Sequence, residues 1–372
     1  MKNYKIQINK KSHYLFLDGL RGVAALMVLG FHLFEAVAFA GGEPEQNMFH
    51  GFLAVDFFLI LSGFVMGYAY DNEWGKMSVG QFFRKRLIRL HPMVVMGVAI
   101  GLAAFLFQGG LKWDGSANSL ANIALSTILA LLLLPSPAGV DVRGNTEIFP
   151  LNGPHWSLFF EYIGNIVYAL AIRKFTTKTL KVWVAVTGVS FLCVGIFGPY
   201  GSLGYGWSSQ PVSLLGGFLR MSFDYGLGML LIRTFRERDV KSSEKKHTFI
   251  IYAALLVMLL CVPSLGEMNV YFEFLCVAIC FPTIIWFSAK GVAQSSFERK
   301  SLKFIGDLSY PLYAIHYPFI YLYIGWINEG RHPFGPYGWC TPVAIALIVI
   351  AAAAILMRFY DIPIRKRLTK KS

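Results

Sequence analysis

The sequence predicts an all-α fold, a polytopic transmembrane helical bundle. Three observations carry this prediction. Hydrophobic residues make up 55% of the 372, and mean hydropathy is +0.53, whereas a soluble domain is about 45–50% apolar. Charged residues are 15%, against about 25% in an ordinary soluble domain. Apolar runs of roughly 16–25 residues recur from end to end, and about 20 such residues cross a bilayer as a helix.

Charge placement orients the runs. Lys and Arg number 34 against 21 Asp and Glu, a net charge of +13. The basic clusters are Lys2–Lys11, Lys76–Arg89, Arg173–Lys181, Arg233–His247, Lys290–Lys303 and Arg358–Lys370. The loops between them, such as Gly41–Phe49, Gln108–Asn118, Pro135–Pro154 and Asn328–Thr341, are not basic. Basic loops stay in the cytoplasm, so the excess reads as membrane topology and not as nucleic-acid binding. No aromatic–basic motif or finger spacing argues otherwise. The N-terminal Lys10-Lys11 and the Ala38-Phe39-Ala40 triplet resemble parts of a cleaved signal peptide. The intervening stretch is too long for one, and it contains Asp18, Arg21 and His32.

Eleven apolar runs follow, near 15–40, 51–70, 92–107, 119–134, 155–172, 182–198, 212–232, 249–263, 270–289, 304–327 and 342–358. An odd number of crossings would separate two basic termini. Run 119–134 is short and lies between two loops both assigned outside, so it is expected to be re-entrant or interfacial. About ten spanning helices remain, with both termini cytoplasmic. The chain reads as one membrane domain over 1–372, with tails at 1–13 and 359–372. The five cysteines form no CxxC pair or disulfide framework and read as packing residues.

The first run carries the densest chemistry. On a helix at about 100° per residue, Asp18, Arg21, His32 and Glu35 share one face of an otherwise apolar segment. Ionisable groups in a bilayer cost roughly 2.5–3.5 kcal/mol each, so they face a bundle interior or a water-filled cavity. In the second run Asp56 opens a helix, where a carboxylate can also serve as a cap. Ser62-Gly63 suits close helix packing.

Next comes Phe82–Pro92 with Arg84, Arg86 and Arg89. A basic cluster before a membrane helix also follows from headgroup contact alone. Arg86 and Arg89 nevertheless share a face, and two guanidiniums at that spacing can clamp phosphates. Pro92 is expected to break or redirect the chain. Glu161 lies about 7–8 Å into the fifth run, with Trp156 and Ser157 before it; a structural salt bridge is its bland alternative. Late in the chain, Tyr310 and His316 sit in an aromatic helix that carries Pro311 and Pro318, two prolines expected to kink it. A lone buried histidine is more often a hydrogen-bonded core residue than a catalytic one. No metal-ligand spacing, P-loop, Rossmann fingerprint or GxSxG elbow is present.

Five blocks together resemble the acyltransferase-3 family of integral membrane acyltransferases. They are LDGLRGxAAxxVxxxH (Leu17–His32), VDxFFxxSGF (Val55–Phe64), RxxRLxP (Arg86–Pro92), WSLxxE (Trp156–Glu161) and SYPLYxxHxP (Ser309–Pro318). The resemblance spans nearly the whole chain. It implies transfer of an acyl group, commonly acetyl, from coenzyme A to glycan hydroxyls at the outer face of the bacterial inner membrane. It also implies about ten spanning helices. Some members carry a fused SGNH hydrolase-like domain; none is expected in this chain.

The resemblance makes His32 the essential histidine, as base or as acyl acceptor, with Glu161 or Asp56 as the carboxylate orienting it. Arg86, Arg89 and Arg84 are the expected coenzyme A ligands, together with Arg21, whose alternative is to pair with Asp18. Trp156, Ser157, His316 and Tyr310 are the expected acceptor-side residues. About 16 Å of helix axis separates Arg21 from His32, so an extended pantetheine arm would carry the thioester inward. No metal or nucleic acid is expected; the partners are the bilayer and the glycan. The competing reading is a flippase or transporter of a glycan precursor, in which the polar face of the first run is a translocation path.

Overall fold

The computed structural model describes residues 14–41, 48–237, 248–331 and 340–370. The tail at 1–13, most of the loop at 41–49, and parts of the segments 233–247 and 328–341 lie outside the described residues. Among the described residues thirteen α-helices run in order: α1 Leu15–Gly41, α2 Ala54–Tyr70, α3 Val79–Phe107, α4 Leu120–Leu131, α5 His155–Leu170, α6 Thr177–Phe197 and α7 Pro211–Glu237. Then come α8 Phe249–Leu260, α9 Asn269–Leu275, α10 Phe281–Ser288, α11 Ser296–Asn328, α12 Cys340–Leu356 and α13 Ile362–Lys370. Pairing of β type is confined to isolated bridges among the described residues. The fold is therefore an all-α bundle, as the composition requires.

Six stretches among the described residues are long and apolar enough to cross a membrane: Leu15–Ala40, His50–Tyr70, Val79–Phe107, Thr177–Phe197, Gly266–Ser288 and Cys340–Lys370. Helices α7 and α11, of 27 and 33 residues, are long enough but carry internal charges. Helix α6 shows how such a segment divides its surface. Leu180, Val184, Gly188 and Phe191 are buried against the bundle, whereas Val182, Val186 and Val189 are exposed. An apolar face turned outward is the inverse of a soluble helix and fits a lipid environment.

Because lipid is as apolar as leucine, helices in a membrane associate through close packing. The most extensive pairings are α1 with α11 and α2 with α7. Both depend on missing side chains. A Cβ on Gly22 would lie 2.6 Å from the Ile305 carbonyl oxygen. One on Gly63 would lie 2.1 Å from that of Tyr225, and one on Gly228 would lie 1.9 Å from that of Ile60. The expectation that Ser62-Gly63 marks a close crossing thus has a defined partner in α7.

Three local expectations change. Pro92 does not end its helix: it lies inside a continuous α3 that starts at a Ser78–Gln81 capping box. The basic segment and the apolar run after it are therefore one rod. Residues 269–288 form α9 and α10 joined by a π-helical turn, Cys276–Cys280, and a second π-turn, Met357–Asp361, joins α12 to α13. All five cysteines are free; Cys276 is buried, but Cys193, Cys261 and Cys340 are exposed.

Helix α4 has 12 residues, about 18 Å, well short of a hydrocarbon core of about 30 Å. The chain before it and the chain after it are hydrogen-bonded to each other. Asn118 Nδ2 donates to the Val142 carbonyl at 2.9 Å, and the Trp113 amide donates to the Arg143 carbonyl at 3.0 Å. We expect cysteines at Ser116 and Ala138, in a background lacking the native cysteines, to be labelled by an impermeant thiol reagent from the same side. Labelling from opposite sides would mean that α4 crosses.

The loop after α4 is folded inward. Arg143 is buried, 3.6 Å above the Tyr321 ring, and donates to the Pro150 carbonyl at 2.8 Å and to Gln108 Oε1 at 3.2 Å. Tyr321 donates to Glu147. The loop is thereby fastened to the far part of α11.

Candidate active site

Near one end of the bundle, α1, α2, α3, α5, α11 and α13 enclose a cavity of about 1150 Å³, counting its open mouth. Four guanidiniums reach it: Arg21, Arg86, Arg89 and Arg365. Arg21 Nε donates to Ser309 Oγ at 2.8 Å and Nη2 to the Gly306 carbonyl at 2.7 Å, with Asp18 at 3.6 Å. The approach of α1 to α11 at Gly306 makes these bonds reachable, since a Cβ there would fall 2.7 Å from Asp18 Cβ.

Arg86 Nη2 donates to Glu161 Oε1 at 2.8 Å, and Ser62 Oγ donates to the same oxygen at 2.9 Å. Arg89 is exposed into the cavity and has no hydrogen-bond or ion-pair partner among the described residues. Arg84 is exposed and does not line the cavity. It is two residues from Arg86, and residues so spaced do not share a helix face. Its expected place among the coenzyme A ligands is therefore not borne out by position.

The floor of the cavity is Ser157 and Tyr313, whose hydroxyls lie 2.6 Å apart, with Phe58 against the Tyr313 ring at 5.5 Å. Tyr310, whose hydroxyl donates to the Leu90 carbonyl at 2.5 Å, also lines this cavity. Two residues expected on the acceptor side thus stand with the arginines.

Beyond the floor lies His32, which does not line the cavity. Its Nδ1 is 2.5 Å from Glu35 Oε2. A carboxylate at that distance accepts a hydrogen bond from Nδ1–H, which leaves Nε2 as the lone-pair nitrogen. Tyr317 donates to the same Glu35 oxygen at 3.3 Å. The imidazole is held between the His316 ring, stacked at 5.2 Å and 28°, and the edge of Tyr317 at 4.7 Å. Side-chain exposures of 16% for His32 and 35% for Glu35 show that the pair opens to the surroundings. His316 Nδ1 pairs with the Tyr313 carbonyl at 2.8 Å, and its buried Nε2 has no hydrogen-bond partner.

The carboxylate beside His32 is therefore Glu35, and the expectation of Glu161 or Asp56 in that place is corrected. Glu161 is occupied by Arg86 and Ser62, the structural salt bridge that was its bland alternative. Asp56 is buried under Arg220, which grips it with Nε at 2.7 Å and Nη2 at 2.5 Å. Arg220 also lies 5.2 Å from the ring of Trp156, so Trp156 belongs to this pair and not to the cavity. Asp224, one turn along α7, is fully buried with both carboxylate oxygens unpartnered.

Sequence reasoning missed Glu35 as the partner although it stood on the same face, three residues from His32. It missed Arg220 and Asp224 altogether. Both stand in the middle of an apolar run, the signal that singled out α1. Among the described residues no group of three or more His, Cys, Asp or Glu could hold a metal ion.

The described residues thus form a helical bundle with an arginine-lined cavity and, beyond it, a histidine paired with a carboxylate. The acyltransferase-domain profile of the acyltransferase-3 family matches residues 14–358. The chain belongs to that family, and it is an acyltransferase.

Among curated relatives, Protein 2 in the picA locus of Rhizobium radiobacter is 34% identical over 47% of this chain and 91% of its own length. Acyltransferase MdmB of Streptomyces mycarofaciens is 30% identical over 48% of this chain and 45% of its own. O-acetyltransferase OatA of Staphylococcus aureus is 24% identical over 94% of this chain. The match spans 57% of OatA, so about half the length of the last two relatives is matched. No solved structure matches.

Proposed function

We propose that the protein moves an acyl group, acetyl in the first instance, from acyl-coenzyme A to a hydroxyl of a cell-envelope or extracellular glycan. The observation that carries this reading is the 2.5 Å His32–Glu35 contact, which leaves His32 Nε2 as a base. In the transfer, Nε2 takes the acceptor hydroxyl's proton as its oxygen attacks the thioester carbonyl. The C–S bond breaks, and Nε2–H returns that proton to the departing sulfur, so coenzyme A leaves as the thiol and Nε2 is free again. Transfer through an acyl-imidazole would use the same nitrogen. Glu35 keeps the tautomer and offsets the imidazolium charge, and Tyr317 holds Glu35.

On this reading the arginine cavity receives the nucleotide end of the donor, and the thioester points toward the floor at Ser157 and Tyr313. That hydrogen bond has to open for the acyl group to reach His32. Arg89 is the unpaired guanidinium and is expected to contribute most to phosphate binding. The Ala variant at Arg89 should raise half-saturation for acetyl-coenzyme A about tenfold or more, the loss expected for a charged hydrogen bond. Lys should rescue only in part, because it lacks the planar fork. Donor titration of purified variants checks this; an unchanged half-saturation in the Ala variant would remove Arg89 from the site.

Acetyl is preferred because a relative matched over nearly the whole of this chain bears the name O-acetyltransferase. The basic clusters support an orientation with both termini in the cytoplasm, and a bacterial inner-membrane location follows from the family reading. The test is mass spectrometry of surface polysaccharides from a deletion strain beside its complemented parent. Loss of one acyl ester names both acyl group and acceptor. An identical ester profile across all envelope glycans would refute the glycan assignment.

A further inference from the structure

The donor cavity has a wall that the family blocks do not include. Helix α13 follows the π-turn Met357–Asp361, and from it Arg365 enters the cavity with Arg21, Arg86 and Arg89. The segment is fixed at two points. Tyr360 donates to the Pro92 carbonyl at 3.2 Å, one turn along α3 from Arg89. Asp361, with no exposed surface, pairs with Arg365 Nη2 at 2.5 Å. Such π-turns occur often at functional sites, and this one shifts the helical register just before Arg365.

The charge pattern asks for a ligand. Arg89 shares the cavity with the like charges of Arg21, Arg86 and Arg365, and the opposite charges acting on it include Glu161 and Asp361. Asp18, Glu161 and Asp361 each hold one of the other three guanidiniums. Arg365 has donors left: Asp361 engages one Nη, and Arg365 Nε is buried without a hydrogen-bond partner. Its side chain is still 27% exposed. Guanidiniums grouped with spare N–H donors match phosphate oxygens, which accept several bonds in a plane.

We propose that Arg365 is a phosphate-binding residue of the donor site, and that α13 is the wall holding the phosphates of coenzyme A opposite Arg89. The inference rests on the acyl-coenzyme A reading above. The C-terminal basic segment then has a ligand-binding role in addition to the topological one its charge implies.

The test is equilibrium binding, so it needs neither an acceptor nor turnover. Full-length protein in detergent is titrated with coenzyme A and with pantetheine, which has the same arm and no phosphate. The variants are Arg365→Lys, which keeps a cation beside Asp361, and the double variant Asp361→Asn/Arg365→Ala, which strands no buried charge. Melting temperatures near wild type establish that both fold. The double variant should bind coenzyme A about tenfold more weakly, and Arg365→Lys should fall between it and wild type. Pantetheine affinity should not change. Equal coenzyme A affinity in all three proteins would overturn the role of Arg365 and leave the donor reading standing. Wild-type protein that fails to bind coenzyme A would overturn both.

Discussion

Replacing His32 with Ala is expected to abolish acyl transfer, by at least the 10²–10⁴-fold that general base catalysis supplies, while the protein still inserts and folds. His32 is pinned by contacts that orient it without holding the bundle together: Glu35 at Nδ1, His316 on one side and the Tyr317 edge on another. Glu35→Gln should keep the geometry but weaken the base, because an amide cannot offset the imidazolium charge. It should lower kcat with little change in donor half-saturation. Glu161→Gln should do the reverse and disturb the donor side through Arg86. Normal O-acyl content in cells expressing only the His32→Ala protein at wild-type level would refute the base assignment.

Replacing Asp56 with Ala is expected to produce the largest loss of stability. Breaking a buried ion pair by removing one partner costs about 3–5 kcal/mol, because the other charge stays buried and uncompensated. Arg220 would be that charge: it is 1% exposed and its strongest bonds are to Asp56. Removing both partners in an Asp56→Leu/Arg220→Leu variant should recover much of the loss. Thermal unfolding in detergent measures both variants. An Asp56→Ala protein that melts like wild type but makes no product would return Asp56 to the chemistry.

Much of the fold was legible in the sequence because lipid enforces a simple rule. Every backbone polar group has to be satisfied within its own segment, so apolar runs become helices. That rule gave the α1, α2 and α5 segments to within about three residues at each end. It does not fix where a helix continues past a proline, since neighbouring groups can satisfy the freed carbonyl; hence the unbroken α3 through Pro92. It is silent on the π-turns, which depend on what packs against them.

The site was legible as far as charges on one helix face can show. His32, Glu35 and Arg21 were visible in the periodicity of α1. Which carboxylate meets which cation depends on contacts 75 to 164 residues apart, those of Arg86 with Glu161 and of Asp56 with Arg220. Motif spacing holds no information about such pairs. Arg365 stood in a segment whose basic charge already had a sufficient explanation in topology. Its second role emerged only when α13 was seen to close the cavity.

The central claim is that an acyl thioester entering beside Arg89 is consumed at His32. The most direct measurement is release of free coenzyme A thiol from radiolabelled acetyl-coenzyme A by purified protein, supplied with envelope glycan and compared with the His32→Ala variant. Wild-type protein should release thiol in step with label appearing on the glycan, and the variant should bind donor normally but release none. Equal release by the two proteins, or no release by wild type that demonstrably binds the donor, would contradict the account.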